Sequence, residues 1–460
     1  MLAFQCALSI SQNAGKGKQN AVPDMEERKR NHMNTSKEYG LIEELLRDAQ
    51  LPRMARVRQI FPRPQVADVT KRVRELIARE DIANLVSPGM EIAVTCGSRG
   101  IANIRFIIRE TCRGLQALGA KPFIVPSMGS HGGATAEGQR AIIESYGVTE
   151  EFCGAPIRSS MQTKYIGKTE DGRDVYIDRN AAEADGIVVV GRIKPHTDFR
   201  GPYESGLMKM MVIGLGKQRG AENFHREGPA RMGYNIPMFG KAILKHAPVL
   251  FGLAILENAY DETAKIEVLR SDEFSDREPP LLLEAKSLLA RSYIEDVDLL
   301  IIDQIGKDIS GDGMDPNITG RFCNPYVSGG MRANKMAILD LSADTHGQMA
   351  GLGYGDVTTK RCLAKCDFYA SFPNALTSTT FTPFRIPMVL NSDRDAIAAC
   401  LKYNGGNDKM NPRVIRIHDT MHMDEIWVSE ALLDEVRANP NMQIISEPEE
   451  MTFNEQNNLW

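Results

Sequence analysis

Short apolar runs that each end in a glycine-rich polar loop and then pass into a helical pattern constrain this chain most. EIAVT at Glu91–Thr95 is followed by CGSRG and a helical stretch from about 103 to 118. PFIV at Pro122–Val125 is followed by PSMGSHGGAT and a helical stretch from about 136 to 146. IVVV at Ile187–Val190 leads into GRIKPHTDFRG. Apolar runs this short, rich in β-branched residues and bounded by glycine and proline, read as buried parallel strands. Strands alternating with helices imply an α/β architecture with mainly parallel sheets.

The rhythm occurs twice. Val249–Leu256 and Lys265–Leu269 read as a hairpin closing the first half, and the charged, proline-containing SDEFSDREPP at 271–280 as a linker. A helix over 281–292, strands at Asp298–Ile302, Met336–Leu339, Pro387–Leu390 and Arg413–Ile417, and helices near 393–402 and 429–437 follow. At 460 residues the chain exceeds one ordinary core. The expectation is two α/β domains, 36–275 and 281–460, with the active site in the cleft between them. Residues 1–35, polar and patternless, read as a disordered tail. Two amphipathic helices, LIEELLRDA and VTKRVRELIARE, are expected between Gly40 and Glu80.

Composition narrows the function. A net charge of −5 supplies no basic footprint for nucleic acid. No apolar run approaches the ~20 residues of a membrane span, and no signal peptide is recognisable. The eight cysteines lack CxxC spacing and read as reduced thiols of a cytoplasmic protein. Cys362 and Cys366 share a helix face, a pattern that serves packing more often than metal binding.

In open α/β sheets, ligands bind beyond the carboxyl ends of the strands. The three polar loops of the first half therefore bring Ser98, Arg99, His131, Lys194 and His196 toward one crevice. Arg99, in a glycine-flanked turn at a helix start, suits a carboxylate or phosphate; the alternative is a surface ion pair. His131 in GSHGG has an uncrowded imidazole, suited to proton transfer or metal ligation. A lone loop histidine is usually unremarkable, but His131, His196 and His225 all lie in glycine-rich stretches. Lys209 sits in an apolar run, so it is partnered, neutral, covalently used or snorkelling. Lys217, in GLGKQRG, is a weak phosphate-contact candidate, because that turn matches neither GxGxxG nor a P-loop. In the second half, GKDISGDGMDPNITGR lacks EF-hand spacing. Its Lys307 and Arg321 are candidates to face a substrate, against a self-satisfied Asx-turn loop.

Taken together, GSRGI, GSHGG, KPHTD and the Lys209…His225 arrangement resemble the lactate racemase family, from about residue 88 to 235. The resemblance implies two α/β domains around a nickel-pincer nucleotide: nickel held by a pyridinium-3-thioamide-5-thiocarboxylic acid mononucleotide. It implies Lys209 as the thioamide attachment, His225 as the nickel ligand, His131 and His196 as the acid/base pair, and Arg99 on the substrate. The implied activity is racemisation or epimerisation of a small 2-hydroxy acid by proton-coupled hydride transfer, with cofactor-biosynthesis enzymes as partners. The segment from His196 to Lys209 is longer than in lactate racemases. GKDISGDGMDPNITGR replaces their tyrosine-and-lysine motif, which points to a substrate other than lactate, sugar acids included. The competing readings are a metal hydrolase or lyase ligated by the three histidines, and a non-catalytic nickel-nucleotide binding protein.

Overall fold

The structure is a computed structural model that describes residues 40–98, 100–378, 380–405, 408 and 410–460, without the side chains of His225, Thr377 and Ser378. The expected tail at 1–35 and the arginine at 99 lie outside the described residues. Residues 40–46 are helical. Gln50–Trp460 form one compact unit that carries two large sheets.

The first sheet is five-stranded and the second eight-stranded. In chain order the strands are β1 Met54–Gln59, β2 Glu91–Cys96, β3 Lys121–Pro126, β4 Thr163–Lys168, β5 Asp174–Asp178, β6 Gly186–Arg192, β7 Val249–Glu257, β8 Thr263–Arg270, β9 Asp296–Ile305, β10 Arg332–Leu341, β11 Val357–Thr359, β12 Met388–Leu390, β13 Val414–Ile417, β14 Glu425–Ser429 and β15 Met442–Ile444. The smaller sheet runs β3-β2-β6-β7-β8, parallel except for the β7–β8 hairpin. The larger runs β12-β11-β10-β9-β13-β14-β1-β15, parallel through β13 and antiparallel beyond it. Strands β4 and β5 form a separate ribbon.

The chain is therefore α/β with mainly parallel sheets, and the strands read from the sequence are present. Both faces of the small sheet are covered. Ile187 and Val189 of β6 enter one core, with Phe123 and Leu256, while Val188 and Val190 enter the other, with Ile92 and Ile255. That two-sided burial explains why β6 reads as an unbroken apolar run instead of an alternation.

Two features depart from expectation. Strand β1, from the chain's first portion, is a strand of the second sheet, between β14 and β15. The stretch 271–280 is not a linker: Ser271–Glu273 is a helical turn running into the helix Phe274–Leu288, which holds both prolines. A proline inside a helix leaves the carbonyl four residues back without its donor. For Pro279 that carbonyl belongs to Ser275, and the Tyr203 hydroxyl donates to it at 2.7 Å. Buried Phe274, Leu281, Leu282 and Ala285 then hold the helix to the first core.

The chain passes between the sheets twice, at 60–66 and at 289–295. The two crossings lie side by side. Tyr293 Oη donates to the Ile60 carbonyl at 2.9 Å, and the Phe61 and Tyr293 rings stack with centroids 5.4 Å apart. The Gln59 amide links both, donating to the Arg291 carbonyl at 3.1 Å and accepting from the Tyr293 N–H at 2.9 Å.

Candidate functional site

Strands β3, β2 and β6 are adjacent and parallel, so the loops after them leave one edge of the sheet together. The close approach is visible in the glycines. A Cβ on Gly97 would lie 3.0 Å from Met210 Cε, and one on Gly214 would lie 2.8 Å from the Ser127 carbonyl oxygen. The Gly129 N–H donates to the Gly214 carbonyl at 3.2 Å, joining the His131 loop to the turn that follows Lys209.

His131 is exposed, and its Nδ1 lies 2.5 Å from Ser98 Oγ. Its carbonyl accepts from the Gln139 amide at 3.2 Å, and the same amide donates to the Gly129 carbonyl at 2.8 Å. On the other side, the Tyr146 hydroxyl donates to the Ser98 carbonyl at 2.8 Å. Ser98 and His131, 33 positions apart in the chain, are thus brought into contact.

Lys209 is half-buried and ends the short helix Leu207–Lys209. A π-helical turn, Met210–Gly214, follows immediately. Such one-residue widenings of a helix occur often at functional sites. Eight residues on, Lys217 stands in a different setting. It is fully buried with a φ of 54°, a conformation that costs a non-glycine residue energy. Its ammonium donates to the Pro126 carbonyl and to Gln139 Oε1 (3.0 Å), and pairs with Asp178 Oδ2 at 3.2 Å. Burial pushes Asp178 up and Lys217 down, and their mutual attraction opposes both shifts. Lys217 is an anchor beneath the His131 loop, which replaces its reading as a phosphate contact. It begins the helix Lys217–His225, of which His225 is the last residue.

His196 lies in a closed loop, since Lys194 and Ser205 exchange two backbone hydrogen bonds of 3.1 Å. Its backbone N–H donates to Glu204 Oε2 at 2.7 Å, and its ring lies tilted against Phe199 with centroids 4.4 Å apart. Nδ1 accepts the Asp198 backbone N–H at 3.0 Å, so the neutral ring carries its proton on Nε2. The buried Glu204 also receives Lys286 Nζ at 2.7 Å and faces Arg200 Nη1 at 3.5 Å.

This loop is fastened to the second sheet's loops. Arg200 Nη2 donates to Asn317 Oδ1 at 2.6 Å, and the Asn324 amide donates to the Asp198 carbonyl at 2.8 Å. The Cys323 thiol donates to Asp198 Oδ1 at 3.3 Å, and Lys194 Nζ lies 3.5 Å from Asp315 Oδ2. Burial, and then the Asp198 carboxylate, push Asp312 up to about 7.

The other sequence candidates divide. Lys307 donates its backbone N–H to Thr345 Oγ1 at 3.0 Å. Arg321 directs its guanidinium to the Ala333 and Asn334 carbonyls and to Asp356 (3.0 Å), all within the second half. Arg321, expected to face a substrate, is thus engaged within its own half, and it is Arg200 that reaches from the first half's loop to Asn317. Among the described residues, no group of three histidine, cysteine or acidic side chains is placed to hold a metal ion. Glu204 and the buried Glu278 escaped the sequence reading, because a carboxylate in polar surroundings usually marks surface.

Comparison with known proteins adds the following. A search of curated proteins found no match. Among solved structures, the lactate racemase apoprotein from Thermoanaerobacterium thermosaccharolyticum is similar at 14% identity and a TM-score of 0.40, over 84% of this chain and 92% of that one. Residues 39–231 match the family model of the lactate racemase N-terminal domain. That segment is similar to the lactate racemase N-terminal domain.

Proposed function

We propose that this protein is a racemase or epimerase that inverts the carbinol carbon of a small 2-hydroxy acid, with Lys209 carrying a nickel-pincer nucleotide. One observation supports the reading above the others: the Gly129–Gly214 hydrogen bond sets the His131 loop against the turn that follows Lys209. A tethered group and an acid/base imidazole would then face each other over the carboxyl ends of β2, β3 and β6. The two lysines separate cleanly as attachment candidates. Lys217 is fully buried, whereas Lys209 is half-buried.

The donor set fits the group. Lys209 would hold it through a thioamide, and His225, sixteen residues on in the sequence, would ligate the nickel. When bound, the group supplies a carbon that accepts and returns hydride. The chain supplies orientation and proton transfer. With Nδ1 engaged by Ser98, His131 would exchange a proton with the substrate hydroxyl through Nε2. His196, with its proton on Nε2, would donate to the substrate from the loop between the two halves. Arg99 and Lys307 are the candidates for the substrate's carboxylate. The asparagines and carboxylates at 312–324 suit a polyhydroxy acid better than lactate.

Intact-mass measurement after co-expression with cofactor-making enzymes tests the reading. An adduct on the wild type that disappears in Lys209→Ala is expected, and an adduct retained in the variant refutes it. Chiral chromatography of a panel of 2-hydroxy and sugar acids then identifies the substrate. A loaded protein that inverts none of them defeats the catalytic part.

A further inference from the structure

The helix Phe274–Leu288, expected from the sequence only from 281 onward, grips the segment leading into Lys209 at three points. Its Ser275 carbonyl accepts the Tyr203 hydroxyl at 2.7 Å. Its Lys286 pairs with Glu204 at 2.7 Å. Between them, Glu278 turns its carboxyl to the start of the Leu207–Lys209 helix, and the Met208 N–H donates to Oε2 at 3.0 Å. Glu278 is 1% exposed. The carboxyl approaches so closely that a Cβ on Gly206 would lie 2.0 Å from Oε1. The Gly206 backbone is extended (φ 166°), so glycine is required there for space and not for a left-handed turn.

A buried acid of this kind is costly unless something needs it. The first helical N–H groups lack helical partners, and an acceptor aimed at them fixes the direction in which the helix sets off. Here the helix is a single turn. Its last residue is Lys209, so an error in its starting direction passes directly to the lysine side chain.

We infer that Glu278 is a positioning residue for Lys209: its buried carboxyl caps the turn that ends in Lys209 and aims the lysine amine. The inference deepens the proposed function and rests on it only for the identity of what the amine carries. Burial pushes Glu278 up to about 8, while the Met208 and Leu207 N–H groups draw it back. The neutral acid therefore dominates at neutral pH, and a glutamine imitates it.

The test uses the full chain with Glu278→Gln, Glu278→Leu and Gly206→Ala. The first readout is the acylation rate of Lys209 in cofactor-free protein, mapped by peptide mass with the other lysines as internal controls. The second is the adduct fraction after co-expression with cofactor-making enzymes. Glu278→Gln keeps a carbonyl acceptor and is expected to stay near wild type in both. Glu278→Leu fills the space without an acceptor and is expected to lose about tenfold in adduct and to shift Lys209 acylation alone. If that variant does not fold, Gly206→Ala, which drives a methyl into Oε1, is expected to shift the same lysine. Wild-type Lys209 acylation in a folded Glu278→Leu or Gly206→Ala protein overturns the inference. A wild type that never forms an adduct, with Lys209 acylation still shifted in the variants, refutes the proposed function and leaves the positioning role standing.

Discussion

The two candidate acid/base histidines are held in opposite ways. The His131 loop is tied to the first half: Gly129 bonds to Gly214, Gln139 spans Gly129 and His131, and Lys217 locks Gln139 from beneath. The His196 loop begins and ends in the first half, yet its outer part is fastened to the second through Arg200–Asn317, Asp198–Asn324 and Lys194–Asp315. One imidazole thus has a fixed place relative to Lys209, while the other takes its place from the second half. On the proposed function, a pair of bases on opposite faces of a substrate would be assembled and taken apart in this way without disturbing the side that carries Lys209.

The largest expected effect lies under the fixed loop. Lys217→Met leaves Asp178 buried without its partner, which costs about 3–5 kcal/mol in chemical denaturation; a loss below 1 kcal/mol would remove Lys217 as the anchor. His131→Ala should lower turnover by about 10²–10⁴-fold with the adduct intact, and turnover within tenfold of wild type would break the assignment. Arg200→Ala releases both the His196 carbonyl and Asn317. It should reduce turnover by about tenfold while leaving Lys209 loading unchanged. Equal losses in loading would mean the two loops are not independent.

The remaining expectation is a pH dependence of stability at the contact between the halves. Asp312 is held up to about 7, above the ~3.9 of an unfolded aspartate. Its protonated form is the favoured one when folded. The stability it contributes is complete below about pH 4 and is lost as pH rises through about 7. Asp198, Asp315, Cys323 and Tyr354 are the titratable groups facing this site. Melting temperatures between pH 5 and 8 should fall more for the wild type than for Asp312→Asn, and parallel curves would remove Asp312 as the cause.

Much of the first half was legible because its signals are local. Each apolar run of the small sheet is buried on both faces, so it reads as a strand without knowledge of its neighbours. The loops of Ser98 and His131 follow those strands directly, and their meeting follows from strand adjacency. What stayed hidden depends on partners remote in the chain. Pro279 and Pro280 signal a break, and the donor that answers the carbonyl freed by Pro279 comes from Tyr203, more than seventy residues upstream. MARVRQ at β1 alternates in burial as a half-buried strand should, yet nothing in it says that it pairs with residues 425–429. Lys209 and Lys217 look alike in an apolar, glycine-rich run. The aspartate and glutamine that hold Lys217 buried come from residues 178 and 139.

The paired crossings between the sheets carry a mechanical consequence. Because the crossings at 60–66 and at 289–295 touch through Phe61, Ile60 and Tyr293, the two connections between the halves act at one place. A single tether would let them swivel, whereas two adjacent tethers allow them to open and close like the covers of a book. Opening would part the His196 loop from Asn317, Asn324 and Asp315 in one stroke, and closing would reseat all three together.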